Sequence, residues 1–365
     1  MRAREGTQQR HAVALIELGD SHVECIFSQL LFLHQMGCVV HLVCSEGMRE
    51  QVSAFAHVHR FVFLDKGAGV VGHWRCVRTV LRYLKENAIG TVIFNTGSGN
   101  HTRDISLFAP RGVHLAGLIH HTHKLKGSFT QKLISLRVRR CFVLNDYLLD
   151  AVPPSRRKVF TSVYLIFREP VRAVDVRKEP GTLWVAIPGQ VDFRRRDYRA
   201  LVEELQRSGE VRSLRIFVLG ECKHEGDGGT LRAMLREAGL EQLVTLFDHF
   251  VDRETFFGYA SQCDLFLPLI HPSTHFFSHY ARFQISGTYN LAFGLAKPLL
   301  LHSALKGPED FEIAAHFYND GELLRLLEHL AAHRDELRAI GERIREASKF
   351  SFAVQCDRYM RLLQR

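Results

Sequence analysis

The sequence predicts an α/β protein with two doubly wound parallel sheets, joined by a linker at residues 166–181. Three observations carry this expectation. Short β-rich runs alternate with longer helical patterns along the whole chain, as parallel strands with helices on both faces require. The alternation breaks at "AVPPSRRK" (151–158), where Pro153-Pro154 cannot continue a helix, and restarts at "TLWVAIPG" (182–189). At 365 residues the chain is too long for one comfortable core and suits two domains of ~100–200 residues each.

The elements follow in order. Residues 1–10, "MRAREGTQQR", hold no apolar run to bury and read as disordered. The first domain, 11–165, carries strands at 11–18, 38–44, 60–65, 90–95, 114–120 and 140–145. Between the first two lies "HVECIFSQLLFLHQMG", whose Val23, Ile26, Phe27, Leu30, Leu31 and Met36 keep helical spacing before Gly37 closes the run. The second domain, 182–345, carries strands at 182–187, 214–220, 243–247, 264–270 and 298–302, with helices at 197–207, 230–240, 253–262 and about 287–296. The last stretch, 346–365, reads as a helix returning to the first domain. The result is two Rossmann-like domains facing a central cleft.

Hydrophobic residues make up 46% and charged residues 24%, an ordinary globular balance that excludes a disordered chain. No apolar run approaches the ~18 residues of a membrane span, and the N-terminus lacks a secretory h-region, so a cytoplasmic protein is expected. Eight scattered cysteines without a C-x-x-C pair fit reduced, buried thiols. The net charge is +9, and no acidic residue occurs between Ile105 and Asn145, where Arg111, Lys124, Lys126, Lys132, Arg137, Arg139 and Arg140 fall. That stretch is either a solvated face or a surface for acidic lipid or a phosphorylated acceptor.

In open parallel sheets, ligands sit beyond the carboxyl ends of the strands, and free N–H groups at helix N-termini attract phosphate there. "VAIPGQVDFRRRDY" (185–198) offers Gly189, where backbone can approach a ligand, followed by Arg194, Arg195 and Arg196 with planar donors for phosphate. Ser286-Gly287-Thr288 caps a helical run, with Arg282 just upstream. "VLGECKHEGDGG" (218–229) lacks the spacing of a phosphate-binding fingerprint and reads as a loop after Gly220. "NTGSGNHT", from Asn95, is a candidate acceptor-side loop. His120, His121 and His123 end a strand; they are surface groups, or catalytic or sugar-binding histidines with His121 and His123 the catalytic candidates, while zinc is the weakest alternative because adjacent histidines without a partnering Cys or acidic pattern rarely make a site.

This order and spacing resembles the GT-B glycosyltransferases, particularly the glycosyltransferase 4 type of bacterial surface-polysaccharide pathways, over nearly the whole chain. Gly19 and Glu24, the helix to Met36, and Gly37 before "VVHLVC" occupy the places of that family's opening turn and helix. Gly189 matches its strand-end glycine, Gln190 stands where it has arginine, and Arg195 sits at its basic position. "FVLGE" (217–221) and "LVTLFDHFVDRETFFGYASQCDLFLPL" (243–269) match its next turns. The family's glutamate pair is missing: Tyr289-Asn290-Leu291-Ala292 stands where the second glutamate is expected.

The resemblance implies a hexosyl transfer from a nucleoside-diphosphate sugar to a glycan or lipid-linked acceptor, free of cofactor and of any essential metal. It implies a diphosphate held by Gly189, Gln190, Arg195 and Gly220, with Arg282, Ser286, Gly287 and Thr288 beside it. A base would lie along His249, Phe250 and Val251, and Asn290 would reach the ribose. His121 and His123 would touch the sugar or the acceptor hydroxyl, with Gly19, Asp20, Asn95 and Lys124 on the acceptor side. An anionic membrane surface is a further expected partner; nucleic acid is not, because no RRM, KH, helix-turn-helix or zinc signature accompanies the charge. A nucleotide-sugar epimerase, a non-catalytic scaffold of the same fold and a basic nucleic-acid-binding protein are the competing readings.

Overall fold

The computed structural model describes residues 11–155, 158–207 and 213–364. The expected disorder at residues 1–10 lies outside them. The chain forms two compact units: one reaches to Glu169 and takes the chain back from Phe352, and the other is Pro170–Ser351.

The first unit holds β1 (Ala12–Glu17), β2 (Val39–Ser45), β3 (Arg60–Leu64), β4 (Thr91–Phe94), β5 (His114–Ile119), β6 (Arg140–Leu144) and β7 (Val159–Val163). They pair in the order β3-β2-β1-β4-β5-β6-β7, every pair parallel. The second unit holds β8 (Leu183–Pro188), β9 (Leu214–Glu221), β10 (Val244–Phe247), β11 (Leu265–Phe266), β12 (Leu299–His302) and β13 (Ala315–Tyr318). Their order is β10-β9-β8-β11-β12-β13, again parallel throughout. Parallel neighbours need crossovers, so helices cover both faces and the central strands are buried on each side. Val13 to Ile16 and Val185 to Ile187 are accordingly all but sealed from solvent, which is why they read as continuous apolar runs.

Each sheet reverses its strand order once, between β1 and β4 in the first unit and between β8 and β11 in the second. Such a switch point opens a crevice at the carboxyl ends of the two strands, the usual ligand position of this architecture. Glu17, Asn95 and Thr96 end one pair, while Pro188, Gly189 and the chain after Phe266 end the other.

Several elements depart from expectation. β7 and β13 go unsignalled because "VFTSV" and "AHFY" are short edge strands, partly exposed and partly polar. "DLFLPLI" pairs only at Leu265–Phe266: Pro268 has no N–H to donate, and Leu269 turns the chain at φ +54°. The glycine-rich run after β9 is not a loop but the opening of a helix, Gly226–Glu237. A Cβ at Gly228 would lie 2.2 Å from the Lys223 carbonyl oxygen, and one at Gly229 would lie 2.4 Å from that of His224, so close backbone packing demands glycine there.

The last helix, Phe352–Gln364, packs within the first unit. Tyr359 stacks on Phe142 with ring centroids 4.4 Å apart, and its hydroxyl donates to Gln29 Oε1 at 2.9 Å. All eight cysteines are free thiols, buried except for the half-buried Cys38. Among the described residues no helix is long and apolar enough to cross a membrane.

Candidate functional site

The crevice of the first sheet is built around Glu17. It ends β1 fully buried, accepting hydrogen bonds from Thr96 Oγ1 at 2.6 Å, Asn95 Nδ2 at 2.7 Å and the Gly19 backbone N–H at 2.5 Å. Burial pushes its carboxyl above the usual range, and these three donors only partly offset the lift. Gly19 is bare for a reason: a Cβ there would lie 2.8 Å from Glu17 Oε1. Asn95 is itself fully buried; beyond Glu17 it donates to the His22 carbonyl and accepts from Gln29 Nε2 at 2.6 Å. Expected on the acceptor side, its amide is committed to holding Glu17, through Gln29, against the last helix.

Asp20, the next expected acceptor residue, sits at φ +55° and accepts from Ser45 Oγ and Lys66 Nζ. Burial raises its pKa, but the hydrogen bonds from Lys66 and Ser45 outweigh that and hold the carboxylate ionised. His120 is buried, stacked on His22 with centroids 3.6 Å apart, and bonded through Nε2 to the Asn95 carbonyl at 2.8 Å. A carbonyl only accepts, so Nε2 carries the proton; burial keeps the ring neutral. His121 and His123 are half-buried, with ring centroids 5.8 Å apart. His123 and Lys124 line an open groove of about 390 Å³ with Ser98, Asn100 and Gln131. A smaller cavity of about 110 Å³ reaches Glu17, Thr96 and His101.

Asp104 suits proton transfer less than Glu17. Hydrogen bonds from Arg103 Nε at 2.6 Å and Nη2 at 2.7 Å lower its pKa first, and His73 Nε2 at 2.7 Å adds to them. Glu17 has the opposite balance, with a linkage consequence. Because its folded pKa is raised, the folded state holds the proton more tightly than the unfolded chain does. Its contribution to stability is therefore full below the ordinary carboxylate pKa and is lost as pH rises through the raised value. Wild type should lose stability as pH rises from the ordinary carboxylate pKa through the lifted one, and Glu17→Gln should flatten this part of the profile; unfolding midpoints recorded from about pH 4 upward measure it.

In the second sheet, Gly189 follows β8 at φ +103°, a left-handed conformation that favours glycine. A Cβ on it would lie 2.5 Å from Arg196 Nη2, and one on Gly220 would lie 2.3 Å from the Gly189 carbonyl oxygen. Two bare backbones thus meet beside the switch point. The three arginines divide their work. Arg196 turns inward, donating to the Pro268 carbonyl at 2.8 Å and to the Pro188 carbonyl, so it ties the ends of β8 and β11 together. Arg195 and Arg194 stay exposed, pairing with Asp192 at 3.0 and 3.4 Å, and each guanidinium lies 5.7 Å from the Phe276 ring. Gln190 is exposed beside them.

The helix Gly287–Leu295 starts at Ser286, whose hydroxyl accepts from the Thr288 N–H at 3.4 Å. It packs beside β11, and Arg196 acts electrostatically on its buried Tyr289. Asn290 is 9% exposed, and its Oδ1 is sealed from solvent without a hydrogen-bond partner among the described residues. Arg282 is exposed at the end of the preceding helix, Phe277–Arg282. After β10, His249 and Phe250 are exposed, Phe250 at 80%, whereas Val251 is buried. Sequence reasoning names Glu17 and Asp104 as acids that could act as base without ranking them, and it missed the His22–His120 stack and Phe276. The trace of Glu17 is a carboxylate closing the apolar run "AVALIE".

No protein-family model matches the chain, and no curated protein matches it. Solved structures do match its fold. HepE of Anabaena, solved in complex with UDP, is 12% identical over 97% of this chain and 99% of that one, with a TM-score of 0.67. A glycosyltransferase from Rickettsia africae ESF-5 is 9% identical over 98% of each chain, with a TM-score of 0.65. A putative UDP-N-acetylglucosamine 2-epimerase from Listeria monocytogenes is 10% identical over 97% of this chain and 96% of that one, with a TM-score of 0.63. The chain has the GT-B fold of two Rossmann-like domains.

Proposed function

We propose that this protein is a glycosyltransferase that moves a hexosyl group from a nucleoside-diphosphate sugar to a glycan or lipid-linked acceptor in surface-polysaccharide or glycoconjugate synthesis. The observation that carries the reading is the switch point of the second sheet. Gly189 and Gly220 leave backbone bare there, Arg194 and Arg195 rim it, and a capped helix N-terminus adjoins β11. Those groups stabilise a departing diphosphate without a metal. The base would lie along His249, Phe250 and Val251, and Asn290 Oδ1 would accept from a ribose hydroxyl. In the first unit, His121, His123 and Lys124 would meet the acceptor, and Glu17 would take its proton, since a lifted carboxyl is a better general base.

The UDP bound to HepE makes uridine the first base to test. Thermal shifts with UDP, GDP, CDP, ADP and TDP and their sugar conjugates, followed by product analysis, test the reading. One nucleotide family should stabilise the protein by ~2.7 kcal/mol at a hundredfold excess over Kd. EDTA should leave that increment unchanged, and sugar should appear on an added acceptor. No shift with any nucleotide would contradict the reading. The epimerase-like fold neighbour favours a second reading, which would show itself as an isomerised donor formed without acceptor.

The finer proposal, a lipid-linked acceptor at an anionic membrane, rests on the first unit's surface. Val70, Val71, Trp74, Phe108, Phe129 and Leu136 are large exposed apolar residues, carried on helices Gly69–Glu86, Asn100–Phe108 and Phe129–Arg137. The first helix packs beside the second and the second beside the third; Trp74 meets Phe108 with ring centroids 5.7 Å apart. Exposed Arg75, Arg78, Arg111, Lys126, Lys132 and Arg139 lie on the same elements or next to them. Basic residues near an anionic bilayer contribute ~1 kcal/mol each. Vesicles rich in phosphatidylglycerol should therefore sediment the protein while phosphatidylcholine vesicles should not. Val71→Asp with Phe129→Asp should abolish the binding; equal binding to both vesicles would contradict the proposal.

A further inference from the structure

Away from both crevices, the second unit carries a cluster of nitrogen and oxygen ligands at a break between two helices. Helix Leu323–Ala332 ends at His333, whose φ of −118° and ψ of 63° leave the helical region before Arg334–Glu346 begins. His329 and His333 lie one turn apart, and Glu336 follows in the first turn of the next helix. One ligand atom from each of the three lies within 4.8 Å of the others. His329 Nε2 is 2.7 Å from Glu336 Oε1, and the two imidazoles stack with centroids 4.2 Å apart.

Two details arrange these groups as ligands. His333 Nδ1 lies 2.9 Å from the His329 carbonyl. A carbonyl only accepts, so Nδ1 carries the proton and Nε2 presents its lone pair, the outer hydrogen bond typical of metal-bound histidine. On β13, His316 Nε2 lies 3.7 Å from Glu336 Oε2, sealed from solvent and without a hydrogen-bond partner among the described residues.

We propose that His329, His333 and Glu336 bind one divalent transition ion of the zinc class, with His316 steadying the second carboxylate oxygen and a fourth position open to water. Two imidazoles and a carboxylate suit zinc and its neighbours, not magnesium or calcium. Tetrahedral bonds of about 2.0–2.2 Å set ligand atoms roughly 3.4 Å apart, so the His329–Glu336 pair at 2.7 Å must open slightly and the wider separations, none beyond 4.8 Å, must close by at most about 1.4 Å. His329 and His333 are exposed and Glu336 half-buried, so their side chains can make that adjustment. Any proton between His329 Nε2 and Glu336 leaves to solvent as the ion takes its place. The ion would staple the two helices across the break at His333. It takes no part in donor chemistry, so this proposal stands or falls separately from the proposed function.

Chelator-stripped, reduced protein titrated with zinc against a chromophoric competitor tests it. Wild type should bind one zinc that magnesium does not displace, and zinc should raise the thermal midpoint. The double variant His329→Gln/His333→Gln should lose that zinc, and His316→Gln should bind it at least roughly tenfold more weakly. Unchanged metal-free melting will show that the variants fold. Glu336→Gln, which keeps size and helix, serves if the double variant does not, and it too should lose the zinc. Undiminished zinc binding in a folded ligand variant, or no saturable site in wild type, would overturn the proposal.

Discussion

Gly220→Ala is expected to destabilise the second unit and to abolish donor binding together. The added Cβ would lie 2.3 Å from the Gly189 carbonyl oxygen, 2.4 Å from its carbon and 2.7 Å from the Gln190 nitrogen. All three are backbone atoms, so no side chain can swing aside to make room. Either β9 parts from β8 at its carboxyl end or the Gly189 turn shifts. Overpacking against fixed neighbours costs about 3 kcal/mol, a fall of roughly 6–12 °C in the melting midpoint for a domain of this size. The same shift would displace the backbone proposed to face the diphosphate. Thermal unfolding and nucleotide titration of one preparation measure both effects. An unchanged midpoint would show that the two strand ends have slack.

The arginine run gives the second large effect, because neighbouring positions should fail in different ways. Arg196 bridges the Pro188 and Pro268 carbonyls, which belong to the two sides of the switch point. Arg196→Ala removes two hydrogen bonds with a charged donor and should cost roughly 2–4 kcal/mol. Lysine should not restore them, since an ammonium lacks the planar fork that reaches both carbonyls. Arg195 is exposed, with a surface pair to Asp192 and the Phe276 ring at 5.7 Å, so Arg195→Ala should change stability by less than ~0.5 kcal/mol. Its cost should appear in donor affinity, at least about tenfold, or ~1.4 kcal/mol.

Much of this arrangement was legible in the sequence, and particular residues show why the rest was not. Central strands such as "AVALIE" and "LWVAIP" announce themselves because both faces are buried and the apolar run is unbroken. Edge strands carry no such demand, so "VFTSV" and "AHFY" passed unseen. Gly189 and Ser286 could be placed at strand and helix ends from spacing alone. The division among Arg194, Arg195 and Arg196 could not, because it depends on which guanidinium reaches carbonyls 8 and 72 residues away. Spacing puts Asn95 at a strand end and in a candidate acceptor-side loop, but not in the long-range chain through Gln29 and Tyr359 that also makes it an interior support. The cluster at His329, His333 and Glu336 spans a helix break, where a regular helical reading misplaces the partners.

The most direct measurement is a calorimetric titration of UDP and UDP-hexoses into wild type and Arg195→Ala, with both melting midpoints recorded beforehand. Saturable binding to wild type, weakened at least about tenfold in a variant that melts at the same temperature, is the expected result for a diphosphate held at the second switch point. Equal affinity in the two proteins, or no binding of any nucleotide to folded wild type, would contradict it.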